Sequence, residues 1–251
     1  MTEPLLETRS LGKSFGALTA ARDINFRLEP GARHALIGPN GAGKTTFINL
    51  LTGVFLPTQG QVLLKGRDIT TMQQSARVKL GIARTFQINR LFRGLSVLEN
   101  VYIAVAERLG VAGAMAKPAG MRTDVVDAAM RLLDMLKLAG DAEHRISELP
   151  YGRQRLVELA IALGLEPEVL LLDEPAAGVP SAESHIILDA VAALPKHIGV
   201  LIIDHDMDLV FRFAQRITVL VGGAIFAEGT PKDIGSDQRV RDVYLGKAHH
   251  G

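Results

Sequence analysis

Eight consecutive residues, Gly38-Pro39-Asn40-Gly41-Ala42-Gly43-Lys44-Thr45, follow the spacing G-x-x-x-x-G-K-[ST]. A triphosphate packs several negative charges into a small volume. Holding it without burying a matching set of cations needs many backbone N–H groups aimed at one point. Glycines allow that, because they accept unusual dihedrals and let the chain approach closely. Lys44 is the residue to reach the β- and γ-phosphates, and the Thr45 hydroxyl is a ligand for Mg²⁺. The helix that follows turns its positive end toward the same anion.

A second group with chemistry is Asp173-Glu174, which ends the apolar run Val169-Leu170-Leu171-Leu172 and precedes Pro175. Alone, this pattern reads as a buried strand with a polar exit. Beside a phosphate loop it reads differently, because ligands of open α/β sheets lie at the carboxyl ends of strands. Asp173 is then placed to hold Mg²⁺, directly or through water, and Glu174 to polarise the attacking water.

These residues need elements to position them. Arg33-His34-Ala35-Leu36-Ile37 reads as a strand before the loop, and 46–52 as a helix ended at Gly53. Short apolar runs recur at 62–64, 169–172, 200–203 and 217–221. Those at 169–172 and 200–203 are continuous, as in parallel strands covered on both faces. Helical patterns separate the strands, which implies an α/β sheet. The stretch from Ser96 to Gly164 is helical in period. Ser96-Val97-Leu98-Glu99 is a capping box ahead of an apolar run to Leu109. Residues 110–120 are rich in Gly and Ala and read as a loop. Thr123 caps a second helix through Leu138, with Gly140 as its stop. A third helix opens at Gly152 and runs from Arg153 to Leu163. A helical insertion into an α/β core is expected.

Composition narrows the classes. At 251 residues the chain is near the upper limit for one core. Its formal charge of +1 argues against a dedicated nucleic-acid surface. It has no cysteine, which excludes disulfide and thiol chemistry. Met1-Thr2-Glu3-Pro4 lacks a basic and apolar leader, and no run approaches the roughly 18 apolar residues of a membrane span. The expectation is a cytoplasmic protein that meets a membrane through a partner.

The order of these motifs resembles the ATP-binding subunits of ABC transporters, over essentially the whole chain. The resemblance implies a P-loop NTPase of the ABC type: a RecA-like parallel-sheet core, an N-terminal antiparallel β subdomain and an inserted helical subdomain. It implies one domain over 1–251, with the core and β subdomain in 1–87 and 165–251 and the helical subdomain at about 88–164. ATP would lie against Phe15, Gly38, Pro39, Asn40, Gly41, Ala42, Gly43, Lys44, Thr45 and Thr46, with Phe15 of Lys13-Ser14-Phe15-Gly16 stacking on adenine. Gln87 of Arg84-Thr85-Phe86-Gln87 matches the glutamine that contacts Mg²⁺ and senses the membrane partner. His205 of Ile203-Asp204-His205-Asp206 matches the histidine that contacts the γ-phosphate. The catalytic set is thus Glu174, His205 and Gln87, and the metal set Thr45, Gln87 and Asp173. Leu149-Pro150-Tyr151-Gly152-Arg153 stands where the signature belongs, and Tyr151, Gly152 and Arg153 would face ATP held by a second ATPase subunit. Two permease subunits and, indirectly, a periplasmic solute-binding protein complete the implied assembly. The chain would sit on the inner face of the membrane.

Against the family's usual Leu-Ser-Gly-Gly-Gln, the signature departs at Pro150, at Tyr151, which is familiar from the amino-acid branch, and at Arg153, and the loop after Glu174 departs at Pro180. Pro150 replaces the serine whose hydroxyl caps the signature helix and bonds the γ-phosphate; Arg153 is the candidate compensating cation. Pro180 stands where an acidic residue helps couple the two ATP sites. Other details resemble the branch that imports branched-chain amino acids, specifically the larger of its two ATPases: Arg90-Leu91-Phe92, Asp173 to Gly178, Asp204 to Met207, and the tail Arg239 to Gly246. The same branch serves urea, short amides and aromatic acids. The alternatives are another transport branch such as lipopolysaccharide export, a soluble ABC ATPase, and a regulatory nucleotide-binding subunit.

Overall fold

Short apolar strands alternating with helices run through the chain, and the computed structural model describes residues 3–85, 91–111 and 122–245. In chain order the elements are β1 (Leu6–Phe15), β2 (Leu18–Ile24), β3 (Arg27–Leu28), β4 (Arg33–Ile37), α1 (Lys44–Thr52), β5 (Gln59–Leu64), β6 (Arg67–Asp68), α2 (Gln74–Lys79) and β7 (Ile82–Arg84). Then come α3 (Val97–Arg108), α4 (Thr123–Met135), α5 (Tyr151–Gly164), β8 (Val169–Asp173), α6 (Ser181–Ala192), β9 (Gly199–Ile203) and α7 (Met207–Phe213). The chain closes with β10 (Arg216–Val221), β11 (Ala224–Gly229), α8 (Pro231–Ser236) and α9 (Gln238–Leu245). These fall into two compact units, one of residues 1–77, 168–174 and 195–251, the other of 78–167 and 175–194.

The first unit holds two sheets. In one, the order is β2-β1-β5-β6, with β3 also on β1, and the pairing is antiparallel; Leu6 lies opposite both Leu28 and Leu64. In the other, β11-β10-β4-β9-β8 lie in that order. β10, β4, β9 and β8 are parallel, and β11 returns antiparallel to β10. Every residue of β4, β8 and β9 is buried, which explains why their sequences do not alternate. Each Leu, Ile or Val so buried contributes about 1.5–3 kcal/mol. Parallel pairing brings the carboxyl ends of β4, β8 and β9 to one edge, and residues 38, 174 and 204 leave the sheet there.

The second unit contains α3, α4, α5 and α6. Ser96 caps α3 as the sequence implies: its hydroxyl accepts from Glu99 N at 3.1 Å, and the Glu99 carboxylate accepts from Ser96 N at 2.7 Å. Gly164 packs where a Cβ would stand 3.3 Å from Ala104 and Val105 side chains.

Three helix boundaries in the second unit differ from expectation. Thr123 is the first residue of α4 and not its cap; Arg122 holds the cap position without a side-chain bond to a backbone N–H of the first turn. Its guanidinium instead forms a fork with the Asp124 carboxylate at 3.0 and 3.1 Å. α4 ends at Met135, short of Leu138 and Gly140, because Lys137 takes the left-handed conformation at φ 57°. Leu138 N then bonds Leu133 O at 2.7 Å and Lys137 N bonds Asp134 O at 3.0 Å, a Schellman closure. A lysine in the place usually taken by glycine hides that stop from the sequence. The third helix, α5, opens at Tyr151 and not after Gly152, because Pro150, at φ −56° and ψ 150°, serves as its cap residue. The Pro150 carbonyl accepts from both Arg153 N and Gln154 N.

Candidate active site

The phosphate loop leaves β4 and enters α1. A Cβ on Gly38 would stand 2.2 Å from the Leu220 carbonyl oxygen, so no side chain fits there. Gly43 caps α1 at φ 98°, and a Cβ on it would meet the Ala20 oxygen at 2.6 Å. Among the described residues no side chain caps α1, and no acidic residue stands in its first turn. The orphan N–H groups at that end therefore await an anion. The Lys44 ammonium donates to the Gly38 and Pro39 carbonyls at 2.5 and 3.1 Å, which folds it over the loop. Burial lowers its pKa, and the charges of Glu174 and Asp173 act the other way, so both carboxylates share its field.

Asp173 closes β8 and is buried. Glu174 follows in the left-handed region at φ 46°, with its N–H on the Ile203 carbonyl at 2.8 Å. That costs a non-glycine residue energy, and such strain clusters at functional sites. It brings the Glu174 carboxylate 3.4 Å from Nδ1 of His205, whose side chain is exposed. Lys44, Asp173, Glu174 and His205 are thus assembled within the first unit. Phe15 ends β1 with an exposed ring; Phe55 packs edge-on with centroids 5.3 Å apart, and Lys13 Nζ lies 5.1 Å from the ring centre. Thr45 and Asn40 are exposed, and Pro39 and Thr46 half-buried. Gln87 lies outside the described residues.

Asp204 is a residue that motif reasoning passes over. It is buried, and its Oδ1 accepts from His205 N at 2.8 Å and Asp206 N at 3.0 Å, which fixes the turn bearing His205. Burial raises its pKa, against those two N–H groups. Its Oδ2 is buried with no hydrogen-bond partner among the described residues. The signal in the sequence is an acid ahead of the histidine at the end of an apolar strand.

The signature lies in the second unit. Pro150 gives α5 no side-chain cap. Tyr151 is exposed and Gly152 buried. The Arg153 guanidinium forms an ion pair with Asp141 and donates to the Lys137 carbonyl at 2.8 Å. It is therefore committed within its own unit, and serves as a compensating cation only on leaving Asp141.

Known proteins share this arrangement. Residues 21–177 match the ABC transporter family, and residues 224–250 match the family described as branched-chain amino acid ATP-binding cassette transporter. The chain is 38% identical over 255 residues to the high-affinity branched-chain amino acid transport ATP-binding protein LivG of Escherichia coli, covering 99% of this chain and 100% of that one. The chain belongs to the ABC transporter ATP-binding family. BraF of Pseudomonas aeruginosa, also a high-affinity branched-chain amino acid transport ATP-binding protein, is 36% identical over 99% of this chain and 100% of its own. The ADP conformation of MJ1267, an ATP-binding cassette of an ABC transporter, superimposes with a TM-score of 0.85 at 32% identity, over 98% of this chain and 100% of that one.

As an ABC ATPase this protein hydrolyses ATP to ADP and phosphate to power transport. The loop amides and Lys44 suit the phosphates, and the Glu174 and His205 side chains suit a water and the γ-phosphate beyond them. The donors also fit Mg²⁺. Among the described residues no three His, Cys, Asp or Glu side chains cluster as an all-protein metal cage. A single carboxylate, Asp173, and the Thr45 hydroxyl are hard oxygen donors of the kind that leave most of the shell to phosphates and water.

Proposed function

We propose that this ABC ATPase drives an importer of branched-chain amino acids, or of related small polar and organic-acid solutes, as the larger of two ATP-binding subunits. The observation that carries the reading is the C-terminal match at 224–250, joined to full-length similarity with LivG and BraF. In this reading the chain is one cassette, with its core in 1–87 and 165–251 and a helical subdomain at about 88–164. It closes on a second ABC ATPase subunit, and the signature residues Tyr151, Gly152 and Arg153 meet the ATP held by that subunit. Among the described residues no helix is long and apolar enough to cross a membrane. Two permease subunits supply the membrane path, a periplasmic solute-binding protein supplies the solute, and the ATPase sits at the cytoplasmic face.

Phe15 stacks on adenine. The loop from Gly38 to Thr46 and Lys44 hold the phosphates, with Mg²⁺ on Thr45, Gln87 and Asp173. Bound there, the ion neutralises phosphate charge. Glu174 accepts a proton from the water it orients in line with the γ-phosphate, and His205 holds the closed state. Gln87 passes the change toward the permease.

The test is ATPase activity of the reconstituted complex against solute-loaded binding protein. Leucine, isoleucine or valine should stimulate turnover several-fold in the presence of Mg²⁺. Stimulation by none of the three, with response to another solute class, overturns the substrate assignment. No Mg²⁺-dependent turnover under any condition overturns the catalytic one.

A further inference from the structure

One cluster in the second unit is left unused by the chemistry above. The Arg155 side chain is 4% exposed and pairs with Glu158, itself only 10% exposed, at 2.9 Å. Its guanidinium carbon lies 5.1 Å from the centre of the Tyr151 ring. Its Nη2 donates to the Ala177 carbonyl at 3.5 Å. The next residue, Gly178, turns at φ 77°, and a Cβ there would stand 3.1 Å from Cε1 of Tyr151. One buried arginine thus holds the first residue of the signature helix on one side and the loop after β8 on the other. Burying an ion pair carries a desolvation cost that a surface arginine would not meet, so its place needs a reason other than solubility.

The loop has a particular neighbour along the chain. Ala177 follows Glu174 by three residues, at most about 10 Å of extended chain. Glu174 is the last residue of the 168–174 segment of the first unit, and 175–194 belongs to the second. A displacement of Ala177 and Gly178 is therefore transmitted by covalent continuity to a residue already held in a left-handed backbone conformation. Pro180 offers no side-chain carboxylate for coupling at its position.

We propose that Arg155 is a positioning residue that locks the signature turn, through Tyr151, to the loop carrying Ala177 and Gly178, so that nucleotide engaged at this chain's signature sets the geometry of this chain's own Glu174. The inference rests on the proposed two-site function. It assigns the coupling to a guanidinium over the Tyr151 ring and a close glycine contact in place of an acidic side chain at position 180.

Arg155→Lys tests it in the reconstituted complex. Lysine keeps the charge and the pairing with Glu158 but loses the guanidinium over the Tyr151 ring and the second donor arm. Expected is a fall in kcat of about tenfold, with KM and the nucleotide affinity of the isolated chain, read with a fluorescent ATP analogue, within twofold of the parent. Gly178→Ala, at an exposed turn, should give the same split. The double variant should fall no further than either single one, because both break one connection. A kcat within twofold of the parent for a folded Arg155→Lys, or losses that multiply in the double variant, overturns the proposal. If Arg155→Lys does not fold, Gly178→Ala decides by the same split of kcat from affinity. An inactive parent complex counts against the two-site function itself and is seen before any variant is compared.

Discussion

Glu174 combines a positive φ of 46° with a carboxylate 3.4 Å from His205 and a field shared with Lys44. A strained backbone of this kind costs on the order of 1–3 kcal/mol, and the bond from its N–H to Ile203 O helps hold it. In the proposed mechanism this conformation aims the side chain at the attacking water. Glu174→Gln keeps the shape and removes the base, so turnover should fall by at least about a hundredfold while nucleotide binding stays near the parent value. Single-turnover hydrolysis beside equilibrium binding separates the two; near-normal turnover in the variant would remove Glu174 from the base role. Lys44→Ala should behave oppositely and lose binding itself, since it removes the ammonium folded over the phosphate loop. These residues were legible in the sequence because each is a residue type with one chemistry at a fixed local spacing. Asp204 was not. Its role comes from burial and two N–H bonds, which depend on where β9 ends in three dimensions.

Elements with a strong period were legible for a related reason. β4, β8 and β9 are continuous apolar runs because both faces are covered, and α3 carries its capping box in four residues. The failures occurred where a residue acts against its usual preference. Lys137 closes α4 in a conformation that favours glycine, and Pro150 caps α5 with a carbonyl alone. The α5 start yields a prediction. A side-chain cap is worth about 0.5–2 kcal/mol, and a hydrogen bond to a charged group about 1.5–3 kcal/mol. Pro150→Ser restores an Oγ at the cap position, with φ and ψ already in the extended range that a serine cap adopts. ATPase activity of the assembled complex should rise several-fold. An unchanged or lower rate means that proline does not weaken the site served by this signature. Arg153 gives the comparison: paired with Asp141, it can stand in for the missing hydroxyl only on leaving that carboxylate, so Asp141→Asn, which weakens the pair, should also raise the ATPase rate.

At the scale of the whole molecule, one chain of hydrogen-bonded groups runs from buried His34 to the surface across three strands of the mixed sheet. His34 of β4 is 1% exposed, with its ring centroid 4.8 Å from that of Phe26. Its Nε2 lies 2.8 Å from the Thr218 hydroxyl of β10, which in turn donates to Glu228 of β11 at 2.9 Å. Because the hydroxyl's single proton goes to Glu228, Thr218 accepts from Nε2–H of the imidazole. Burial pushes the His34 pKa from its usual 6.5 down to about 4, with the charge of Glu228 acting the other way and that of Arg216 acting with burial. An unfolded chain therefore binds a proton here below about pH 6.5, whereas the folded chain does so only near pH 4. Between those values the unfolded state holds more protons, so stability falls as the pH falls, by about 3 kcal/mol in full. Asp204 and Glu158, whose carboxyl pKa values burial raises, act with the opposite sign and gain stability as acid protonates them in the folded state. Carboxylates that their partners hold low, Glu7 and Asp68 among them, lose their contribution only as the pH falls to about 4 and below, so a loss already present between pH 7.0 and 5.5 points to the histidine. Urea unfolding at pH 7.0, 5.5 and 4.5 should show a decline in the parent that is flattened in His34→Gln, a variant that keeps a donor for Thr218 but cannot titrate. Parallel declines in the two proteins would place the acid sensitivity elsewhere in the sheet.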